Sequence, residues 1–155
     1  MEFQRLELQM PGYATLTQPT FGNIVIRFAM HKSRLSGFII DCQTDDVQQA
    51  ANFWEAALGM KQRQLSPEEQ GRYVQLVDPH ERLHIEVQAV SHASRVHLDI
   101  ETDDIEAEVQ RLQRYGAAVV DRIKNWVVMQ APTGQRFCVV RATGQNFADD
   151  ANTWS

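Results

Sequence analysis

Residues 36–43 (SGFIIDCQ) are rich in β-branched and aromatic side chains and lead into a polar turn, a pattern that predicts a β-strand. After the turn the apolar spacing changes to the period of a helix, with one apolar stripe running through residues 47–58. Asp45 with Gln48 makes a variant of the capping box at the start of this helix, and Gly59 is a natural stop. The pattern therefore predicts a strand, a turn and a capped helix.

Three more strands are predicted after the helix, at residues 60–65, 72–78 and 82–90. Turn-forming sequences separate them, with LSPEEQG before the second strand and DPHE before the third. The first half of the chain is therefore predicted to have the order β-α-β-β-β.

The second half repeats this plan 58 residues later, since Thr102 aligns with Thr44. RVHLDIE (95–101) predicts a strand, an apolar helical stripe follows, and Asp103 with Glu106 makes the matching capping box. The segments AAVVDR, NWVVMQAP and QRFCVV then predict three strands. The internal repeat indicates two packed modules, because one module alone would leave an apolar sheet face and an apolar helix stripe uncovered.

The repeat divides the chain into three parts. A domain at 35–142 holds modules at about 36–90 and 95–142, with an N-terminal extension at 1–34 and a polar tail at 143–155. Residues 23–30 (NIVIRFAM) allow three interpretations: an added strand, sequence upstream of a start at Met30, or a loosely attached extension.

The composition is that of an ordinary globular protein, with 43% of the 155 residues hydrophobic and 23% charged. A net charge of −5 argues against nucleic-acid binding, and no apolar run approaches the roughly 20 residues that span a bilayer. The first residues lack the apolar segment of a signal peptide, and the two cysteines form no disulfide framework. These features predict a cytoplasmic protein with reduced thiols and without nucleic-acid or membrane partners.

The duplicated βαβββ unit resembles the vicinal oxygen chelate superfamily, which includes glyoxalase I, extradiol dioxygenases, and fosfomycin- and bleomycin-resistance proteins. DCQTDDVQQAANFWEAALG, RVHLDIETDDIEAEVQRLQRYGA and NWVVMQAPTGQRFCVV carry the resemblance, which is closest to the glyoxalase-like subgroup over about residues 35–142. It implies an α+β fold in which two tandem βαβββ modules form a cupped mixed sheet with flanking helices. It also implies a homodimer, since many such proteins pair two chains.

In metal-using members, the resemblance implies four ligands from the first and last strands of each module. Glu86 and His97 fall on two of these positions and are the predicted metal ligands and proton-shuttling catalytic residues. The other two positions hold Ile39, which cannot ligate, and Cys138, where the family usually carries Glu. The resemblance leaves open whether the site binds one divalent metal ion or none.

The resemblance also implies a polar, acidic cup, because residues i and i+2 of a strand share a face. Besides Glu86 and His97, its predicted ligand-binding residues are Asp41, Gln43, His84, Asp99, Glu101 and Cys138. Tyr73 and Trp126, on matching strands of the two modules, are predicted to hold a flat or cationic ligand. Alternatives remain for each: a face that is merely solvated, a structural role for His97, and packing of the two aromatic residues.

Two functions follow from these residues. The first is metal-free binding of a cationic or polar small molecule in the acidic cup, in the manner of the bleomycin-sequestering members, which Ile39 and Cys138 favour. The second is a divalent-metal-dependent lyase, isomerase or dioxygenase, in which the ion polarises vicinal oxygens of the substrate. The first is our prediction from the sequence.

Overall fold

A computed structural model describes residues 30–63, 71–144 and 146–155. Most of the segment 23–30 lies outside these residues, as do the last two residues of the strand predicted at 60–65. The elements in chain order are β1 (His31–Gln43), α1 (Val47–Leu58), β2 (Tyr73–Val77), β3 (His84–Val90), β4 (Arg95–Thr102), α2 (Ile105–Arg114), β5 (Ala118–Ile123), β6 (Trp126–Gln130), β7 (Arg136–Arg141), α3 (Phe147–Asp150) and β8 (Asn152–Trp154).

The strands form one mixed sheet in the order β2-β3-β1-β4-β7-β6-β5, and β8 pairs with β1. β1 runs parallel to β3 and β4 runs parallel to β7, which repeats the same pairing in each module. An antiparallel pairing of β1 with β4 joins the two modules at the centre of the sheet. The predicted α+β class, with a mixed sheet and flanking helices, is confirmed.

Each helix covers its own module through a separate hydrophobic cluster. The first cluster packs α1 against β1, β2 and β3, and its buried members are Ile40, Ala51, Val74, Leu76, Ile85 and Val87. The second packs α2 against β6 and β7, and its buried members are Val109, Val127, Met129, Phe137 and Val139. The apolar stripes predicted from the sequence are therefore the faces that the helices bury.

The helix caps lie one residue later than predicted. Asp46 and Asp104 are the N-caps, and each side chain accepts a hydrogen bond from the backbone N–H three residues further on. The capping boxes predicted at Asp45 and Asp103 are therefore wrong. The reason is that the threonine of each Thr-Asp-Asp triplet accepts a hydrogen bond from the N–H of the second aspartate, which turns the chain before the helix begins.

The first strand predicted after α1 is reduced to a single bridge in the described residues. Gln62 pairs with Leu76 of β2, and the N–H of Arg63 donates to the carbonyl of Gln75 at 2.9 Å. Within residues 60–63, the described part of this predicted strand, the pairing is therefore limited to that bridge.

The first and last described segments of the chain are joined in the sheet. β1 begins at His31, five residues before the predicted strand, and its first three residues pair with β8. The indole N–H of Trp154 donates to Ser33 Oγ at 2.7 Å, and the guanidinium of Arg111 lies 4.0 Å from the centre of the Trp154 ring. The polar tail therefore contributes a strand and an aromatic contact to the domain.

A fully buried carboxylate, Glu108 of α2, anchors the helix to the start of β1. Arg111 donates two hydrogen bonds to it at 2.7 Å, Ser33 donates one at 3.0 Å, and His31 Nε2 lies 2.8 Å from the second oxygen. Burial would raise the pKa of Glu108, but the hydrogen bonds from Arg111 and His31 outweigh it and lower this pKa. The buried charge is therefore paired.

Gly37 sits at an irregularity in the β1–β4 register, where the chain passes very close to β3. A Cβ atom at this position would lie 1.7 Å from the carbonyl oxygen of His84. Only glycine fits this approach, because the backbone of His84 occupies the volume that a side chain would need.

We predict that Gly37→Ala lowers the free energy of unfolding by at least about 1–3 kcal/mol, because the methyl group forces β1 and β3 apart. Urea denaturation measures the change. Gly59→Ala is the matched control, since its Cβ meets no atom within 4 Å and only its positive φ of 68° opposes the substitution, at a cost of about 1 kcal/mol. Equal losses for the two variants would contradict the close-approach argument.

We also predict that Glu108→Gln destabilises the protein by about 3–5 kcal/mol at neutral pH, because it leaves Arg111 facing a neutral buried group. Since folding lowers the pKa of Glu108, its contribution is present above the unfolded value of about 4.5 and is lost as pH falls through the folded pKa. Denaturation curves at several pH values measure both effects.

The control for this variant is Glu106→Gln on the same helix, where the carboxylate is exposed and pairs with the exposed Arg122. Its effect should stay within about 0.5 kcal/mol at every pH. If the two variants showed the same pH dependence, Glu108 would not be the source of the acid sensitivity.

Candidate functional site

The side of the sheet opposite α1 and α2 carries most of the predicted site residues, and we call it the polar face. Side chains alternate along each strand, so the neighbours of the buried core residues point to this side. The register places Glu86, Ile39 and His97 side by side on β3, β1 and β4. In the next row stand His84, Gly37, Asp99 and Cys138.

Asp41 and His97 form a buried pair at the centre of the polar face. His97 Nδ1 lies 2.9 Å from Asp41 Oδ2, and Arg95 Nε donates to the same oxygen at 3.1 Å. Burial would raise the pKa of Asp41, but the hydrogen bonds and charges of His97 and Arg95 outweigh it and lower this pKa. Because an ionised carboxylate only accepts hydrogen bonds, the contact with Asp41 requires a proton on Nδ1 of His97, and Nε2 is the ring atom that faces Asp99.

His84 and Glu86 form a second pair on β3, with Nε2 of His84 2.8 Å from Glu86 Oε1. The hydrogen bond with Glu86 raises the pKa of His84, against the opposing effect of burial. His84 also feels the negative charges of Asp99 and Glu101. The pair is partly exposed and is therefore the more accessible of the two histidine–carboxylate pairs.

Asp99 and Cys138 lie side by side next to His97. Asp99 Oδ1 is buried, has no hydrogen-bond partner, and lies 3.7 Å from His97 Nε2. Burial raises the pKa of Asp99. Burial, reinforced by the charge of Asp99 and a hydrogen bond to it, raises the pKa of the Cys138 thiol to about 12. Cys138 therefore stays a thiol at neutral pH and is not a nucleophile in this environment.

The remaining predicted residues lie at the margins of the polar face or are already engaged. Glu101 is 3% exposed, accepts a hydrogen bond from Arg34 at 2.6 Å, and faces the N–H groups of residues 143 and 144. Gln43 ends β1 and bonds to the loop after β3. Tyr73 and Trp126 stand on strands that are five places apart in the sheet order, so the structure does not bring them to one point.

Two surface cavities lie away from this cluster. One, of about 430 Å³, lies between the start of α2 and the β5–β6 turn and is lined by Trp126. The other, of about 700 Å³, lies beside α1 and is lined by Tyr73. We place the candidate site at His97 instead, because the buried ionisable side chains converge there and neither cavity contains them.

Two arginines of the polar face were missed by the sequence analysis. Arg95 pairs with Asp41, and Arg136 has a buried Nη1 atom without a hydrogen-bond partner. Alternation along the strands contains the signal for both, because Arg95 is two residues before His97 and Arg136 is two residues before Cys138.

The four positions that the resemblance implies for a metal do not make a complete ligand set. Ile39 has no donor atom and stands between Glu86 and His97, while Glu86 is paired with His84. Among the described residues, a different trio brings its ligand atoms within 4.8 Å of one another: His97, Asp99 and Cys138. An imidazole, a carboxylate and a thiol are a donor set that suits Zn²⁺.

Comparisons with known proteins agree with the fold. The family model described as "Glyoxalase-like domain" matches residues 37–140. No curated protein sequence matches the chain. No helix among the described residues is long and apolar enough to cross a bilayer.

Solved structures share the fold at low sequence identity. A hypothetical protein from Bacillus halodurans is 13% identical with a TM-score of 0.52, over 73% of this chain and 96% of that one. Methylmalonyl-CoA epimerase from Mycobacterium tuberculosis is 17% identical with a TM-score of 0.50, over 70% and 87%. An extradiol ring-cleaving dioxygenase from B. fuscum is 13% identical with a TM-score of 0.51, over 71% of this chain and 32% of that one.

We predict that Asp99→Asn lowers the pKa of Cys138 and speeds its alkylation, because the substitution removes a negative charge that opposes the thiolate. The measurement is the iodoacetamide reaction rate against pH, in a Cys42→Ser background so that only Cys138 reacts. The parent should react slowly until pH approaches about 12. Asp149→Asn, on the exposed α3, is the control and should leave the curve of rate against pH unchanged. An unchanged curve for Asp99→Asn would mean that the charge of Asp99 does not contribute to the raised pKa of Cys138.

Proposed function

Because the chain belongs to the glyoxalase-like domain family, whose fold carries its site on the sheet, we propose that it binds a small molecule on the polar face around His97 and Asp99. The site that we propose lacks a complete set of four metal ligands, because Ile39 occupies one of the four positions. The recognised molecule is polar, since the groups that converge at this point are charged or hydrogen-bonding.

The observation that carries this proposal is the position of Ile39. Its side chain is 4% exposed, belongs to neither core cluster, and stands in register between Glu86 on one side and His97 on the other. Neighbouring strands are about 4.8 Å apart, so Glu86 and His97 start roughly 10 Å from each other with hydrocarbon between them. This spacing favours a ligand that contacts the two residues separately.

The protein groups around this point would orient a ligand without further rearrangement. Asp41 fixes the ring of His97, so Nε2 is held at the side of Asp99, where a ligand would meet both groups. The accessible His84–Glu86 pair adds a donor and an acceptor from the next strand. A ligand that lies across β3, β1 and β4 on the polar face would reach both pairs.

A second function is favoured by the convergence of His97, Asp99 and Cys138 within 4.8 Å. In that case these three residues would hold one divalent ion, which would supply Lewis-acid polarisation of a bound oxygen atom. The chain's own contribution would be to orient the ligands, since the hydrogen bond that His97 Nδ1 donates to Asp41 sets which ring nitrogen is free.

Metal analysis combined with thermal-shift binding separates the two functions. We predict that purified protein, loaded with Zn²⁺, Mn²⁺ or Fe²⁺ and then passed over a desalting column, retains less than stoichiometric metal. In EDTA, a panel of small carboxylic acids, amines and alcohols should still contain a stabilising compound. A hundredfold excess over its Kd should add about 2.7 kcal/mol of stability.

Four variants interpret the result. His97→Gln should abolish the stabilisation, whereas His80→Gln, at an exposed histidine between β2 and β3, should retain it. If the parent binds stoichiometric metal and Cys138→Ser loses it, the second function is supported. If Glu86→Gln loses it, the metal lies at the position that the resemblance implies. The absence of any stabilising compound, with no metal retained, would contradict both functions.

A further inference from the structure

Two buried side-chain atoms of the described residues have no hydrogen-bond partner: Asp99 Oδ1 and Arg136 Nη1. One is an acceptor on an acidic group and the other is a donor on a cation. Buried polar atoms are nearly always paired in folded proteins, because an unpaired one loses its contacts with water without replacing them. Such a complementary pair of unpartnered atoms therefore requires a physical explanation.

Both atoms belong to residues on the polar face. On β7 the flanking residues Phe137 and Val139 pack under α2, so Arg136 and Cys138 start from the opposite side of the sheet. In the parallel register of β4 with β7, Leu98 pairs with Phe137, which places Arg136 next to His97. Arg136 therefore shares the row of His97, and Asp99 stands in the next row.

The same chain pairs its other partly buried arginines directly. Arg34 donates to Glu101 at 2.6 Å, and Arg111 makes two bonds of 2.7 Å to Glu108. Each of these two guanidinium groups is therefore paired with a carboxylate and stabilises the fold. Asp99 is a carboxylate on the same face as Arg136, yet its Oδ1 and the Nη1 atom of Arg136 are both left unpaired.

We infer that Arg136 and Asp99 are the two poles of one binding site, where Arg136 holds the carboxylate of a small molecule and Asp99 accepts a hydrogen bond from a hydroxyl or amine of the same molecule. This inference rests on the proposed function and names its ligand class. A guanidinium is suited to a carboxylate because its N–H groups match the two oxygens. His97 Nε2, 3.7 Å from Asp99 Oδ1, lies beside the second pole.

The experiment measures thermal stabilisation in EDTA by three short hydroxycarboxylates of increasing length: glycolate, 3-hydroxypropionate and 4-hydroxybutyrate. The corresponding amides lack the anion, and acetate, propionate and butyrate lack the hydroxyl group. At least one hydroxycarboxylate should stabilise the protein more than both of its relatives. Arg136→Gln should weaken its binding about 10- to 100-fold, and Asp99→Asn should weaken it while preserving the preference for carboxylate over amide.

Arg141→Gln is the matched control, because it removes an exposed arginine from the same strand. It should leave binding unchanged. If the amides bound as well as the acids, or if Arg136→Gln bound as well as the parent, the inference would be overturned while small-molecule binding on this face would stand. If no compound of the panel stabilised the parent, the assigned ligand class would be wrong.

A second measurement needs no ligand. If Nη1 of Arg136 is buried for binding, Arg136→Met should raise the Tm of the unligated protein by roughly 2–4 °C, since it removes a buried donor without a hydrogen bond and keeps the hydrocarbon stem. Arg111→Met should lower Tm instead, because that guanidinium is paired with Glu108. A fall in Tm for Arg136→Met would assign Arg136 a structural role and overturn the inference.

Discussion

The antiparallel pairing of β1 with β4 is the interaction on which the rest of the structure depends. Each module has its own helix and its own hydrophobic cluster, and the contact between these two strands makes one sheet of both. The same pairing sets Ile39 opposite His97 and Gly37 opposite Asp99. A shift of this register by one residue would turn these side chains to the helix side, so the candidate site exists only in the observed register.

The two modules share a fold but not a chemistry. The pseudo-equivalent residues Ile39 and His97 face each other across the module junction, and one is a hydrocarbon while the other is an imidazole. Asp99, Cys138 and Arg136 lie next to His97 on the side of β4 and β7, whereas the His84–Glu86 pair lies on β3 beyond Ile39. The two modules therefore share a scaffold, and the polar face that they form together is asymmetric.

Much of the fold could be predicted because its signals are local. Apolar residues at helical spacing marked both helices, and the 58-residue repeat marked the modules. The caps were displaced by one residue because either aspartate of a Thr-Asp-Asp triplet can cap, and the choice depends on a threonine hydrogen bond that the pattern does not reveal. β8 was not predicted because a strand of three polar and aromatic residues has no periodicity of its own.

The candidate site was less predictable, because it depends on pairings between distant residues. Alternation put Asp41, His97 and Asp99 on a common face, but it could not show that Asp41 binds His97 or that Glu101 is used by Arg34. The unpartnered atoms of Asp99 and Arg136 result from side-chain packing, which the sequence pattern does not reveal. The resemblance to the glyoxalase-like subgroup is confirmed by the family match over residues 37–140.

The contact between β1 and β8 has a consequence for how the domain folds during synthesis. Ser33 and Trp154 are 121 residues apart in sequence yet hydrogen-bonded, so the first residues of β1 lack this partner until the ribosome has made nearly the whole described chain. Closing so long a loop is slow compared with local structure formation. The two modules can therefore collapse before β8 is available. β8 then pairs last, with the first three residues of β1.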